Sequence, residues 1–296
     1  MLPIIGMLVV VGAVLGGYLM EHGKIAVLLQ PAELLIIGGA VLGTMLVSNP
    51  VHVLKELGQS IKRVFRQETW DRTKYLETLQ MLFRLFSAAR AEGAAKLEAD
   101  IEEPEKSAIF SQYPWFLKDH RASRYLSDTL RLHMLGGVAA HQIDRAMEID
   151  DETHHAEAAL PVSALQTAAD ALPGLGIVAA VLGIVITMGA LGGPPEEIGH
   201  KVAAALVGTF LGILLCYGFI GPIATRIAQV NEADVHYYSC LRNGIQAFVR
   251  GDAPIVATEF ARRSIPDRLR PKFQEMEQAC KKSKEVGDAQ VEAPAA

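Results

Sequence analysis

The densest group of side chains able to do chemistry is the run EIDDETHH, Glu148 to His155. Asp151 and His155 are four residues apart, so on a helix they share one face, as two metal ligands would. An acidic helix with incidental histidines is the commoner origin of such a run. No glycine-rich phosphate-binding loop and no nucleophile elbow is present, so nothing points to nucleotide or acyl chemistry. Cys216, Cys240 and Cys280 lack the paired spacing of a zinc or redox site, which places the polar regions in a reducing compartment. A net charge of -5 gives no reason to expect nucleic acid as a partner. No enzyme activity and no resident cofactor is expected.

The more informative chemistry lies in what the apolar stretches lack. Two of them, 171–193 (ALPGLGIVAAVLGIVITMGALGG) and 202–225 (VAAALVGTFLGILLCYGFIGPIAT), contain no charged residue. Each is long enough to cross roughly 30 Å of hydrocarbon. Ion translocation ordinarily needs an intramembrane carboxylate or similar group. Apart from Glu33, at the outer boundary of another stretch, there is none. Thr187, Thr209 and Tyr217 offer hydroxyls, which line a path but do not carry a proton as a carboxylate does. A chain of this kind either receives its charge-bearing residue from a partner or is a scaffold.

The elements that position these residues are helices throughout. Two further apolar stretches, Leu2 to Met20 and about Leu34 to Pro50, bring the expected spans to four. Gly12–Gly16, Gly39–Gly43 and Gly208–Gly212 have the small-xxx-small spacing of close helix contacts. Pro173 and Pro222 stand near the same end of the antiparallel central pair, as two candidate hinges. Basic residues set the orientation: 15 Lys and Arg lie in 51–170, 11 lie from Arg226 onward, and the two short loops hold only Lys24 and Lys201. The bias places both termini and the long polar segment in the cytoplasm, with loops 21–33 and 194–201 outside.

In the polar part, helical spacing of apolar residues runs over Val51–Gln67, Trp70–Ala95, Leu126–Met147 and Ala156–Asp170, the last broken or kinked near Pro161. Gly93, Pro104 and Pro114 cut 93–114 into short helices. No segment alternates as a strand would, so the chain reads as an all-α, polytopic membrane protein. The expected division is 1–50 as a peripheral span pair, 51–170 as a cytoplasmic helical domain and 171–226 as the central pair. Residues 227–280 follow as cytoplasmic helices, and 281–296 as a disordered tail.

The run ALVGTFLG at 205–212 followed by Pro222, ALPGLGIVAA at 171–180, QPAELLIIGGA at 30–40 and LEADIEEPEKSAIFSQYP at 97–114 together resemble the MotA family of flagellar stator subunits. The resemblance covers nearly the whole chain in the right order. It implies a multi-pass protein of the bacterial inner membrane, embedded in lipid as a homopentameric ring. The ring surrounds a MotB-type subunit whose single span carries the essential aspartate. By the same likeness Pro173 and Pro222 couple ion passage to conformational change, Thr209 lines the pore, and Arg90 and Glu98 engage the rotor protein FliG. Read from the residues alone, Arg90 and Glu98 are simply part of a solvated helical stretch. Sodium-driven relatives carry a threonine at the position of Ala180. Here Ala179, Ala180 and Gly208 offer no hydroxyl and Thr209 only one, so H+ is the expected coupling ion. The rival reading is an ExbB/TolQ-type energiser of outer-membrane processes, a group that typically has three spans rather than four.

Overall fold

The structure is a computed structural model, describing residues 2–66, 70–189 and 192–291, with side chains to Ser283. Among the described residues there is no strand. Thirteen α-helices follow in order: α1 (Leu2–Met20), α2 (Ile25–Leu28), α3 (Pro31–Ser48), α4 (Val51–Arg66), α5 (Arg72–Glu92), α6 (Ala94–Glu102), α7 (Pro114–Lys118), α8 (His120–Met134), α9 (Ala140–Met188), α10 (Pro195–Leu215), α11 (Gly221–Val249), α12 (Pro254–Arg263) and α13 (Phe273–Val291). A π-helical turn, Cys216–Ile220, separates α10 from α11.

Among the described residues four stretches are long and apolar enough to cross a membrane: Leu2–Met20, Ile25–Ser48, and parts of Ala140–Met188 and of Pro195–Val249. Their surfaces agree. Helix α1 buries no residue, and Leu8, Leu35, Val47, Val185 and Ile186 are all exposed. Such an apolar exterior is costly in water and is the ordinary outer face of a protein in lipid.

The chain packs as two compact units. The first comprises residues 1–68 and 156–231. One of its cores joins Ile37 of α3 to Ala169, Leu172 and Ala179 of α9 and to Cys216. The other joins Leu57 and Val64 of α4 to Leu165, Ala224, Ile227 and Val230. The second unit, residues 69–155 and 232–296, is built around Tyr75, Leu82, Phe86, Phe110, Phe116, Leu126, Tyr237, Leu241 and Met276. Trp70 stacks on Tyr237 with ring centroids 3.5 Å apart, and its indole N–H donates to Asp234 Oδ1 at 2.7 Å. Asp71 caps α5 by accepting from the Lys74 N–H at 2.8 Å, and Asp119 caps α8 in the same way. All three cysteines are free and buried.

Several local expectations change. Pro161 does not break its helix, and α9 runs unbroken for 49 residues through both Pro161 and Pro173. The helix expected over 126–147 is two, α8 and α9, divided where Gly136 and Gly137 take φ of 70° and 73°. The 194–201 loop is the first two turns of α10, because Pro195 opens the helix and Glu196 and Glu197 favour its N-terminus. The tail expected to be disordered from residue 281 is helix as far as Val291, and 292–296 lie outside the described residues. Packing also divides the chain at points other than those hydropathy marks. Residues 51–68 and 156–170 belong with the apolar helices.

Candidate functional site at the glycine-lined helix crossing

The central pair meets where neither helix has side chains to hold it apart. A methyl group on Gly176 would stand 2.8 Å from the Gly208 carbonyl oxygen and 3.2 Å from Gly212 Cα. One on Gly212 would stand 2.5 Å from the Leu172 carbonyl oxygen. These obstacles are backbone atoms, which do not swing aside as a side chain would. Hence α9 and α10 approach this closely only with glycine at 176 and 212. Of the small-xxx-small pairs, Gly208–Gly212 makes this contact, whereas Gly12, Gly16, Gly39 and Gly43 face open space within the chain.

Ala179 and Ala180 lie on the same seam. A methyl on Gly208 would come within 3.1 Å of Ala179 Cβ and 3.2 Å of the Ala180 backbone nitrogen. Ala180 keeps 8% exposure and Ala179 none. Thr209, next to Gly208, is half-buried. The Thr187 hydroxyl is engaged within its own helix, donating to the Gly183 carbonyl at 2.8 Å.

Pro173 interrupts the α9 hydrogen-bond ladder beside this crossing, since it has no N–H to offer the carbonyl of Ala169. Pro222 is handled differently. In a regular helix its ring would press on the carbonyl four residues earlier. The turn just before it is instead widened to π geometry, with the Gly221 N–H bonded to the Cys216 carbonyl. Pro222 is exposed and lines an open recess of about 800 Å³ with Met7, Tyr217, Asp170 and Arg226. Proline and a π-turn together make the helix ladder irregular at this point, as at other helix kinks.

The structure also brings in a residue that sequence reasoning left at the margin. Helix α3 begins at Pro31, three residues before the expected start, which places Glu33 in its first turn. Glu33 is 7% exposed, against α9 and α10 at Gly183 and Gly208. A signal was present, because Pro31 is a preferred first helical residue and so sets Glu33 inside the span.

In the second unit Arg90 and Glu98 are both exposed, and among the described residues neither forms an ion pair. They do not share one helix. Arg90 lies in the last turn of α5 and Glu98 on α6, with Gly93 at φ 85° turning the chain between them. Asp151 and His155 do not converge. Asp151 faces Arg242, whose Nη1 is 3.7 Å from Oδ2, and accepts a long bond from the Tyr125 hydroxyl, while His155 is exposed. Burial holds the Asp151 carboxyl above the ordinary carboxylate value, against the pull of the Arg242 guanidinium. Among the described residues no group of three His, Cys, Asp or Glu side chains is placed to hold a metal.

Residues 4–93 match the family model described as Motility protein A N-terminal, and residues 118–239 match the MotA/TolQ/ExbB proton channel family. Motility protein A of Salmonella typhimurium is 40% identical over 278 residues, 94% of this chain and 94% of that protein. The chain belongs to the Motility protein A family. Chemotaxis protein LafT of Vibrio parahaemolyticus is 39% identical over 273 residues, covering 92% of this chain and 96% of its own. The fold is shared with the flagellar MotAB stator complex of Bacillus subtilis, at TM-score 0.72 and 24% identity over 90% of this chain and 97% of that one. It is shared also with C. jejuni MotAB, at TM-score 0.73 and 18% identity over 90% and 95%. Pro173, Ala180, Thr209 and Pro222 all fall within the proton-channel match. Arg90 falls within the motility N-terminal match, and Glu98 lies between the two.

Proposed function

We propose that this Motility protein A family member is the ring-forming subunit of a proton-driven flagellar stator in the bacterial inner membrane, with both termini cytoplasmic. The observation that carries the reading is identity to Motility protein A at 40% over 94% of both chains, membrane and polar segments alike. The chain is an energy converter and performs no covalent chemistry. Copies of it, five in the ring, surround a MotB-type partner whose single span supplies the titrating aspartate. Proton arrival at that aspartate changes the local charge beside the Ala180–Gly208 seam. The ladder gap at Pro173 and the widened turn before Pro222 let the central helices answer that change. Arg90 and Glu98 then transmit force to complementary charges on the rotor protein FliG.

A proton fits this path better than sodium. A dehydrated sodium ion needs several oxygen ligands in place of its water. Beside the Ala180–Gly208 contact the side-chain oxygens are the Thr209 hydroxyl and the Glu33 carboxylate, fewer than a dehydrated sodium ion requires. The test uses a strain in which this chain is the sole stator subunit. Swimming speed at fixed pH is expected to survive replacement of sodium by potassium and to collapse when a protonophore is added. Speed that falls without sodium but withstands the protonophore would overturn the assignment.

A further inference from the structure

Glu33 is the one carboxylate within the apolar stretches of α1, α3 and the central pair, and it stands at the end of the crossing opposite Pro173 and Pro222. Its side chain fills space left by two absent ones. Oε2 lies 2.7 Å from where a methyl on Gly208 would be, and Oε1 lies 3.5 Å from the corresponding point on Gly183. Oε2 is buried and has no hydrogen-bond partner among the described residues. One turn further along α3, Ile37 is fully buried in the same core as Ala179, which fixes this face of α3 against the central pair.

No countercharge is built in. Helices α2 and α3 both pack on α10. The ionisable groups on the elements around Glu33 are Lys24 ahead of α2, with Glu196, Glu197, His200 and Lys201 on the first turns of α10. Lys201 is already paired with Glu197 at 2.8 Å. Between Asp170 and its end at Met188, α9 carries no charge. Among the described residues none of these forms an ion pair with Glu33.

We propose that Glu33 is a second proton-binding site of the stator, distinct from the partner's aspartate and located on the ring subunit itself. This rests on the proton-driven reading above. An ionised carboxylate without partner at this depth is costly, and the neutral acid is not. Proton uptake converts the carboxylate and a hydronium ion into the carboxylic acid and water, and release reverses it. The ligand is a proton and no larger cation, because the cradle offers one carboxyl among glycine and alanine carbons. Its position gives the site a consequence. Glu33 touches Gly208, and Gly208 is packed on Ala179 and Ala180, so a change of charge at Glu33 is felt at the seam where the central helices cross.

The test uses the intact complex of this chain with its single-span partner, reconstituted in lipid vesicles, and two readouts. Dicyclohexylcarbodiimide modifies protonated carboxyl groups in apolar surroundings. Mass spectrometry of the wild-type complex is expected to find Glu33 labelled, with labelling that declines as pH rises. Proton flux is expected to fall about tenfold or more in Glu33→Gln, which keeps size and hydrogen bonding but cannot ionise, and to recover in part in Glu33→Asp. Flux in Glu33→Gln equal to wild type, or labelling indifferent to pH, overturns the proposal. Because labelling is read on the wild-type complex, it decides the matter even where a variant fails to assemble. A wild-type complex that conducts no protons at all counts against the proton-driven reading, and the labelling still decides whether Glu33 binds a proton.

Discussion

His133 shows how a single side chain in the second unit ties stability to pH. Its ring meets Phe248 edge-on with centroids 5.9 Å apart, and Phe248 in turn stacks on Phe86 at 4.4 Å. Burial holds the imidazole below its ordinary value of 6.5. The fold therefore favours the neutral ring. The stability it contributes is fully present above about pH 6.5 and is lost as pH falls through the lower folded value. The thermal midpoint of the detergent-solubilised protein is expected to drop between about pH 7.5 and about pH 5.5, and His133→Phe to flatten that drop. An unchanged pH dependence in the variant would remove His133 as its source. At the same scale, glycine at 176 and 212 is required because the obstacles to a methyl are backbone atoms of the facing helix, while at Gly208 a methyl would meet the Glu33 carboxylate and the Ala179 side chain first.

Among the elements, α9 and the α10–α11 join accommodate proline in two ways. In α9 the helix continues through Pro173 with one ladder bond missing, while the approach to Pro222 is widened by a π-turn. A proline inside a regular helix costs about 3 kcal/mol. Replacing either by alanine is thus expected to leave the thermal stability of the complex unchanged or raised, while swimming speed falls several-fold. Swimming tracking and a membrane-level immunoblot on the same cells check this. Normal speed in both Pro173→Ala and Pro222→Ala at normal protein levels would remove the hinges from the mechanism. At Pro222 the expected loss is one of motion rather than packing, since the proline is exposed, lines an open recess and is absent from the buried cores.

For the whole molecule, each unit has its own core, and α9 and α11 each contribute residues to both. The second unit carries Arg90 and Glu98, the charges proposed to engage the rotor. Since Arg90 and Glu98 are exposed and unpaired among the described residues, reversing either is expected to leave the fold intact. Exposed pairs contribute only about 0–1 kcal/mol each, so neutral substitutions are expected to have partial effects. Arg90→Glu or Glu98→Lys is expected to lower torque at an unchanged thermal midpoint. A compensating reversal on the rotor is expected to restore part of the torque, measured by the rotation of tethered cells. Failure of every such swap would return both residues to the role of a solvated surface.

By itself the sequence determined the solvent each segment requires. Uncharged runs of about twenty residues announce spans, the 3.6-residue spacing announces the polar helices, and the basic bias gives the expected orientation. These properties are local, so they survive without knowledge of neighbours. What the tertiary structure decided is which distant residues share a place. Glu33 and Gly208 meet although they stand 175 positions apart in the chain, and no periodicity within either helix reports that meeting. The same holds for the Leu172–Gly212 approach, for Trp70 stacked on Tyr237, and for the unbroken passage of α9 through Pro161, where packing outweighs the local preference of proline to end a helix. Asp151 is the converse case. Spacing offered it to His155, but the fold set Arg242 and Tyr125 beside it, because a half-buried carboxylate is stabilised by whichever cation and donor the packing brings within reach.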